Sequence, residues 1–285
     1  MTPEEIQASA DAGHVATHSV TDSVTTVPVE TVTEPLAGPE QTPAEDQEPV
    51  RGTIAEWAIT ILLLLFLTAT LVQAFVIPTG SMEDTLLVGD HLLVDKLTYA
   101  PSGPISKHLL PYRAVKRGDI IVFRYPVDIS QTFVKRCMGV PGDHIRVVNK
   151  QVYLNGHLLD EPYVVHKTDY LDSYRDNFPG EPNANLFPGA IDMLQHHVLN
   201  GEVVVPNGYY FAMGDNRDHS ADSRYWGFVD HDAIMGRPFL IYWSVDASSA
   251  DYTPNTFFER LKGIFDTLAH LPTRTRWNRM LHTVH

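Results

Sequence analysis

Ser81 and Lys135 are the two side chains of this sequence whose chemical types and surroundings suit a covalent catalytic pair. Ser81 follows a glycine in the segment 79–82, and glycine can approach a substrate closely or adopt a positive φ that turns the next hydroxyl outward. Lys135 lies in TFVKRCMGV (132–140), where period-2 alternation obliges one strand face to carry a cation beside apolar residues. Burial would lower the pKa of this amine, and a neutral amine can take the proton of a serine hydroxyl. Two simpler interpretations stay open: a turn serine, and an edge-strand lysine in water.

The segment 214–227, GDNRDHSADSRYWG, is dense in paired charges. Its acidic and basic residues are Asp215, Arg217, Asp218, Asp222 and Arg224. One interpretation is a calcium loop beginning at Asp218, but Ser223 then stands where such loops need glycine, and Val229 where they need glutamate. The pattern instead favours a salt-bridged loop that offers a hydroxyl to a neighbouring group, with no metal and no cofactor.

Residues 57–77, WAITILLLLFLTATLVQAFVI, carry no charge over 21 positions. At about 1.5 Å per residue, a helix of this length spans about 31 Å, close to the thickness of a bilayer core. The run predicts a transmembrane helix over 53–77 that ends before Pro78. A cleaved signal peptide is the alternative, because Val72 and Ala74 suit a cleavage site. It is disfavoured because the segment before the run is long and acidic, whereas a signal peptide begins with a short basic segment.

Short runs rich in Val, Ile, Tyr and Phe predict β-strands in the rest of the chain. They lie at 91–99, 119–126, 132–140, 144–156, 202–206, 208–214 and 238–245. The run 144–156 is predicted to form a hairpin that turns at Asn149-Lys150. The stretch 157–200 is polar and rich in Pro and Asn, which predicts an insertion lobe or long loops on the β scaffold.

Charge is unevenly distributed along the chain. The formal net charge is −14, and residues 1–50 contain ten acids and no Lys or Arg. This composition predicts a disordered acidic tail, and the chain has no broad basic surface for nucleic acid. The single cysteine, Cys137, excludes an intrachain disulfide and a multi-cysteine metal site. Arg51, on the N-terminal flank of the apolar run, favours a cytoplasmic N-terminus by the positive-inside rule.

Near the C-terminus, six apolar side chains fall on one helical stripe. They are Phe257, Phe258, Leu261, Ile264, Phe265 and Leu268. The stripe predicts an amphipathic helix that packs on the domain or lies on lipid, since residues 256–285 have five Lys/Arg against two acids.

Taken together and in this order, the apolar helix, the Gly-Ser-Met segment, the lysine strand and the 214–227 segment resemble bacterial type I signal peptidase. Members of this family are membrane-bound Ser–Lys endopeptidases that remove signal peptides from exported proteins. The resemblance covers the apolar helix and most of residues 75–156 and 202–243. It does not extend to the acidic tail, to the details of 157–200, or to the C-terminal helix.

The resemblance implies that Ser81 is the nucleophile and Lys135 the general base. It implies an oxyanion hole formed by the N–H of Ser81 and the hydroxyl of Thr79, which stands where better-known members have serine. It also implies that Ser220 orients Lys135 and that Asp222 pairs with Arg224 to support the loop. His219 stands where asparagine is more common in the family.

The resemblance further implies a set of residues that line shallow pockets for small substrate side chains. They are Phe75, Ile77, Pro78, Met82, Leu86, Phe133 and Val134. The expected partners are exported preproteins with small residues at positions −1 and −3 of the cleavage site, membrane lipid, and a nearby protein-export translocase, with no nucleic acid.

The expected architecture is mainly β: a catalytic domain similar to that of signal peptidases, with an insertion lobe, preceded by one transmembrane α-helix and a disordered tail. Its expected parts are a cytoplasmic tail (1–52), the helix (53–77), an extracytoplasmic catalytic domain (78–250) with the 157–200 lobe, and a C-terminal amphipathic helix and tail (251–285). The expected location is the plasma membrane, crossed once, with the N-terminus in the cytoplasm.

Two other functions use the same residues. A self-cleaving Ser–Lys regulator would need a DNA-binding helix-turn-helix, for which residues 1–50 offer neither helical pattern nor basic charge. A membrane-anchored binding module without turnover is also conceivable, although each proposed catalytic position carries a chemically competent group.

Overall fold

The computed structural model describes residues 52–99, 112–252 and 270–284. The predicted acidic tail up to residue 51 and the predicted amphipathic helix at 257–268 lie outside the described residues. Within those ranges the chain is mainly β, as the sequence predicted, with thirteen strands in two antiparallel sheets.

The larger sheet holds eight strands in the order β1-β2-β12-β3-β4-β10-β11, with β13 paired to β12. Its strands are β1 (Val72–Val76), β2 (Asp90–Asp95), β3 (Ile120–Arg124), β4 (Thr132–Gly139), β10 (Tyr209–Met213), β11 (Val229–Asp230), β12 (Ile234–Ser244) and β13 (His282–Thr283). The smaller sheet has the order β7-β6-β5-β9-β8. Its strands are β5 (His144–Val148), β6 (Gln151–Leu154), β7 (His157–Leu158), β8 (Val198–Leu199) and β9 (Glu202–Val204).

The predicted hairpin in the run 144–156 is confirmed. Strands β5 and β6 pair in antiparallel register and turn at Asn149 and Lys150, which have φ values of 49° and 70°. Two successive residues with positive φ suit the right-handed twist of a tight hairpin. Every other predicted strand run also overlaps one of the observed strands.

The prediction of a helix over 53–77 is wrong in its second part. Helix α1 (Thr53–Thr70) ends early, and β1 follows almost at once, pairing with β2 from Val72 opposite Asp95 to Val76 opposite His91. A continuous apolar run does not distinguish helix from strand, so the pairing partner decided the conformation here. Among the residues that the structure describes, no helix combines the length and apolar character needed to cross a membrane.

The 157–200 stretch contains more regular structure than loops alone. Helix α2 (Pro188–His196) begins with a proline at its first turn, where the missing N–H is not needed. Its Met193 is fully buried, together with Tyr174 and Phe178 from the preceding loop. These side chains pack on the smaller sheet and complete its hydrophobic core, which the polar composition of the stretch did not predict.

The C-terminal residues that the structure describes, 270–284, join the larger sheet and do not form a separate tail. The short helix α4 (Leu271–Arg274) leads to β13, which pairs with Leu240 and Ile241 of β12. Helix α3 (Ser223–Trp226) lies in the charged segment.

A buried ion pair fastens this C-terminal segment to the sheet. Asp90 is fully buried, and its carboxylate accepts hydrogen bonds from Arg279 at 2.6 Å and from Ser244 at 2.6 Å. Because most of the Arg279 side chain is also shielded, removal of its guanidinium would leave Asp90 without its cation.

We predict that Arg279→Ala lowers the free energy of unfolding by about 2–3 kcal/mol, because it leaves a buried carboxylate without a cation. Denaturant unfolding of the full chain in detergent, followed by circular dichroism, measures this loss. The control is Arg124→Ala, an exposed arginine on β3, for which a change within about 0.5 kcal/mol is expected. Equal losses for the two variants would contradict the prediction.

Candidate active site

Ser81 lies in a single 3-10 turn, Gly80–Met82, directly beyond the end of β1. The turn is closed by a hydrogen bond from the Glu83 N–H to the Gly80 carbonyl at 3.2 Å. Met82 is buried below it in an apolar cluster, which holds the turn against the sheet. Gly80 does not have the positive φ that the sequence suggested, and a Cβ added there would meet Glu83 only at an ordinary 3.4 Å.

Lys135 comes from β4 and points inward to Ser81. Its Nζ lies 2.5 Å from the Ser81 Oγ, although 54 positions separate the two residues in the chain. Lys135 is only 3% exposed, so the interpretation as an edge lysine in water is wrong.

Burial changes the protonation of Lys135. Desolvation is the largest effect and lowers the pKa of its amine, which lies at about 8. The charges on Asp222 and Asp215 raise this pKa, and the charge on Arg224 lowers it further. A pKa near 8 leaves a substantial neutral fraction at physiological pH, and a neutral amine beside a hydroxyl can accept its proton.

Asp222 and Arg224 form the pair that the family resemblance implied within the charged segment. The Arg224 Nε and Nη2 donate to the two carboxylate oxygens of Asp222, each at 2.8 Å. Burial alone would raise the pKa of Asp222, but the charge and hydrogen bonds of Arg224 keep it below its ordinary value. Both side chains are buried, and the nearby charge of Lys135 adds a smaller lowering of the same pKa.

A second buried pair, Arg136 with Asp215, flanks the site and was not singled out from the sequence. Arg136 donates to the two oxygens of Asp215 at 2.9 and 2.7 Å, and Thr85 donates to the same carboxylate at 2.6 Å. Alternation placed Arg136 opposite Lys135 on β4, and both strand faces turn out to be buried. The sequence did contain a signal for this pair, because Lys135 and Arg136 are adjacent cations in a strand whose other residues are mostly apolar.

The carboxylate of Asp218 is occupied by cations and amides. It binds Lys150 at 3.1 Å and Arg175 at 3.2 Å, and it accepts the N–H groups of Lys167 and Thr168. Burial raises the pKa of Asp218, but the Thr168 N–H and the Lys150 contact outweigh it and bring the pKa to about 2. Because Asp222 is likewise paired with Arg224, these carboxylates serve as salt-bridge partners, which disfavours the calcium loop.

Ser220 and Gly214 lie directly beside the nucleophile. Ser220 is buried, but its hydroxyl makes no hydrogen bond of normal geometry within the described residues, so a bond to Lys135 is not observed. It is nevertheless close enough to Asp222 to help lower the pKa of that carboxyl. A Cβ added at Gly214 would lie 2.4 Å from the Ser81 carbonyl oxygen and 2.4 Å from the Ser220 Oγ. Only glycine fits at position 214, a requirement that the sequence analysis missed.

A groove of about 550 Å³ opens over Ser81 and Lys135. Six of the seven predicted pocket residues line it: Phe75, Ile77, Pro78, Met82, Phe133 and Val134. The seventh, Leu86, is fully buried in the cluster beneath the nucleophile and does not reach the groove. Thr79 also lines the groove and is exposed. The sequence analysis did not assign Val76, Gln131, Thr132, His219 or Ala221 to this surface.

Two extended segments form opposite sides of the groove. One is β1 with the residues that follow it, and β1 pairs only with β2 among the described strands. The other is the first half of β4, Thr132–Lys135, which pairs with β3 but precedes the residues of β4 that pair with β10. Backbone groups on these free edges can hydrogen-bond to an extended peptide laid between them.

Sequence comparison relates this chain to the signal peptidases. The family described as "Signal peptidase, peptidase S26" matches residues 50–243. Signal peptidase I of Aquifex aeolicus is 36% identical over 228 residues, covering 68% of this chain and 85% of that protein. Signal peptidase I of Pseudomonas fluorescens is 34% identical over 217 residues, covering 68% of this chain and 73% of that protein.

A crystal structure of a signal peptidase I from Enterococcus faecalis V583 covers 44% of this chain and 97% of its own, at 30% identity. The TM-score of this match is 0.29. The family match over residues 50–243 and the curated relatives place this chain in the peptidase S26 family of signal peptidases, among the bacterial type I enzymes, which are serine endopeptidases.

Proposed function

We propose that this chain cleaves N-terminal signal peptides from exported preproteins, with Ser81 as nucleophile and Lys135 as general base. The observation that carries the proposal is the 2.5 Å contact between the Lys135 Nζ and the Ser81 Oγ, made by a lysine that is 3% exposed. Cleavage itself is supported by the family and by curated relatives named signal peptidase I.

The proposed reaction has two halves. In the first, neutral Lys135 takes the Ser81 proton as Oγ attacks the scissile carbonyl, and the resulting ammonium then protonates the leaving amine of the mature protein. In the second, Lys135 takes a proton from the water that attacks the ester on Ser81. The ammonium then returns this proton to the Ser81 Oγ as the signal peptide leaves, which restores the neutral amine.

An oxyanion hole made by the Ser81 N–H and the Thr79 hydroxyl would stabilise the tetrahedral intermediates. The first N–H groups of a helical turn have no partner within the turn, so the Ser81 N–H is available at the start of Gly80–Met82. The Thr79 side chain makes no capping hydrogen bond to this turn and is exposed to the groove, where its hydroxyl can turn towards an oxyanion.

Supporting residues would hold this arrangement. The Asp222–Arg224 pair fixes the loop that carries Ser220, and we propose that the Ser220 hydroxyl, unpartnered in the free enzyme, bonds to Lys135 during turnover. The substrate would lie extended between the two free strand edges. The pocket residues Phe75, Ile77, Pro78, Met82, Phe133 and Val134 would then restrict the −1 and −3 positions to small side chains, with Leu86 packing behind them.

Membrane attachment of the chain is part of the proposal. The apolar side chains of α1 are exposed on all its faces, with Ile59 and the run from Ile61 to Leu67 between 43% and 65% exposed. A helix that is apolar all round is stable only in a core or in lipid. We therefore propose that α1 is held in the apolar layer of the plasma membrane and that the catalytic domain lies at its outer face, near the export translocase. The self-cleaving and inert alternatives have no observation in their favour.

We predict that Ser81→Ala and Lys135→Ala each reduce preprotein cleavage by about 10⁴-fold or more, because nucleophile and base act as one unit. Incubation of the purified full chain with a model preprotein, followed by N-terminal sequencing of the product, measures this loss. The matched control is Lys116→Ala, an exposed lysine outside the groove, which should keep its activity. Retained cleavage by Lys135→Ala would contradict the mechanism.

We predict a rise of kcat/KM with pH that levels off above about pH 8. Protonated Lys135 cannot accept a proton, so below its pKa the rate should fall about tenfold per pH unit, to about 1% of the plateau at pH 6. A short soluble peptide without titratable side chains serves as substrate, so that its own ionisation does not contribute. A flat profile from pH 6 to 10 would be incompatible with a titrating base.

We predict that Gly214→Ala lowers kcat/KM by about 10²-fold, because its methyl group must displace the Ser81 carbonyl by about 1 Å and so misplace the nucleophile. The control is Gly52→Ala, where an added Cβ meets nothing within 4 Å. Comparison of peptide cleavage with the thermal unfolding midpoint separates misplacement from unfolding. Unchanged cleavage by Gly214→Ala would show that the close approach is not needed.

A further inference from the structure

The turn between β3 and β4 exposes two apolar side chains that the active site does not use. In this turn, residues 126–130, which we call the β3–β4 tip, Val127 is 43% exposed and Ile129 is 77% exposed. Neither residue lines the groove. Exposed branched side chains at the end of a rigid turn are the kind of apolar surface that marks an interaction site.

The β3–β4 tip is held in one conformation by hydrogen bonds. The Tyr125 N–H donates to the Gln131 carbonyl at 2.9 Å, which closes the hairpin. The Asp128 carboxylate accepts from the Ser130 hydroxyl at 2.7 Å and from the Gln131 amide at 2.8 Å. The single carboxylate of the tip is therefore already hydrogen-bonded within the turn, which lowers the cost of moving it out of bulk water.

Strand register places this tip at the same end of the larger sheet as helix α1. Residue 72, the first of β1, is aligned through Asp95 with Arg237 near the start of β12. Strand β3 runs antiparallel to β12, so that Phe123 lies opposite Ile234, at the same end. The chain turns back after Arg124, and the β3–β4 tip extends from this end. Helix α1 finishes at residue 70, so its exposed apolar side chains approach the sheet from the end where the tip lies.

We propose that the β3–β4 tip inserts Val127 and Ile129 into the interfacial layer of the bilayer that holds α1. The inference rests on the membrane attachment put forward under Proposed function. The expected attraction is hydrophobic, because exposed Arg124 at the base of the tip is offset by the exposed carboxylates Asp230 and Asp232, which shortly precede β12. Two lipid contacts, α1 and the tip, would fix the height of the groove above the membrane.

A fluorophore placed at the tip tests this directly. The variant Ile129→Cys carries a nitrobenzoxadiazole label, and native Cys137 stays unlabelled because it is fully buried. The full chain is reconstituted in phosphatidylcholine vesicles that contain a nitroxide-labelled lipid. The matched control is Leu199→Cys, which is 55% exposed on the smaller sheet, beyond the opposite end of β4.

We expect the nitroxide lipid to quench the label at position 129 by about half and the label at position 199 by less than about a tenth, because interfacial residues lie within 5–10 Å of the headgroup boundary. Equal quenching at the two positions would overturn the proposal. Quenching at 129 that appears only after a preprotein is added would also overturn it, in favour of a contact with the apolar segment of the signal peptide.

A cleavage assay separates this inference from the proposed function. The double variant Val127→Ser with Ile129→Ser should cleave a vesicle-embedded preprotein about fivefold more slowly and a short soluble peptide at the parent rate, since only the first reaction uses the lipid contact. If the double variant cleaves both substrates at the parent rate, the proposed lipid contact of the β3–β4 tip is contradicted. Failure of the parent chain to cleave either substrate would refute the proposed function, whereas the quenching result would still decide the lipid contact.

Discussion

The arrangement of this site depends on keeping the Lys135 amine buried without giving it a carboxylate partner. A buried lysine beside a free carboxylate would remain protonated and form an ion pair. Here the two nearest carboxylates are held by arginines: Asp222 by Arg224 and Asp215 by Arg136. Their charges are compensated, so desolvation remains the largest influence on Lys135 and lowers its pKa to about 8. The hydroxyl of Ser81 is then its nearest polar neighbour on the groove side.

The fold holds these charges in a small space through strands that are distant in sequence. Strand β4 contributes both Lys135 and Arg136, on opposite faces, and the segment after β10 contributes Asp215 and the loop with Asp222. Gly214 allows that segment to approach the Ser81 turn closely. The 157–200 stretch also supports the loop, because Tyr174 donates to the Arg224 carbonyl at 2.5 Å. The polar network is therefore tied to both sheets.

The groove follows from where strand pairing stops. Among the described strands, β1 has one partner and the first half of β4 has one partner, so that two free edges face the space above Ser81. An extended peptide can complete these edges, whereas the buried apolar cluster below, with Met82 and Leu86, sets the depth of the pockets. The same end of the larger sheet carries α1 and the β3–β4 turn, which places these two features on one side of the sheet.

The sequence by itself determined the approximate positions of eight of the thirteen described strands, the hairpin at Asn149 and Lys150, and the chemical types of Ser81 and Lys135, since these depend on alternation, turn chemistry and residue type. Tertiary structure alone decided that Lys135 is buried, because Ser81 and Lys135 are 54 positions apart and alternation does not say which face is covered. It also decided that the apolar run changes from helix to strand after Thr70, since pairing with β2 satisfies the backbone there. The close approach at Gly214 and the pairing of Arg136 with Asp215 have the same origin: both are contacts between distant segments, which a local pattern does not encode.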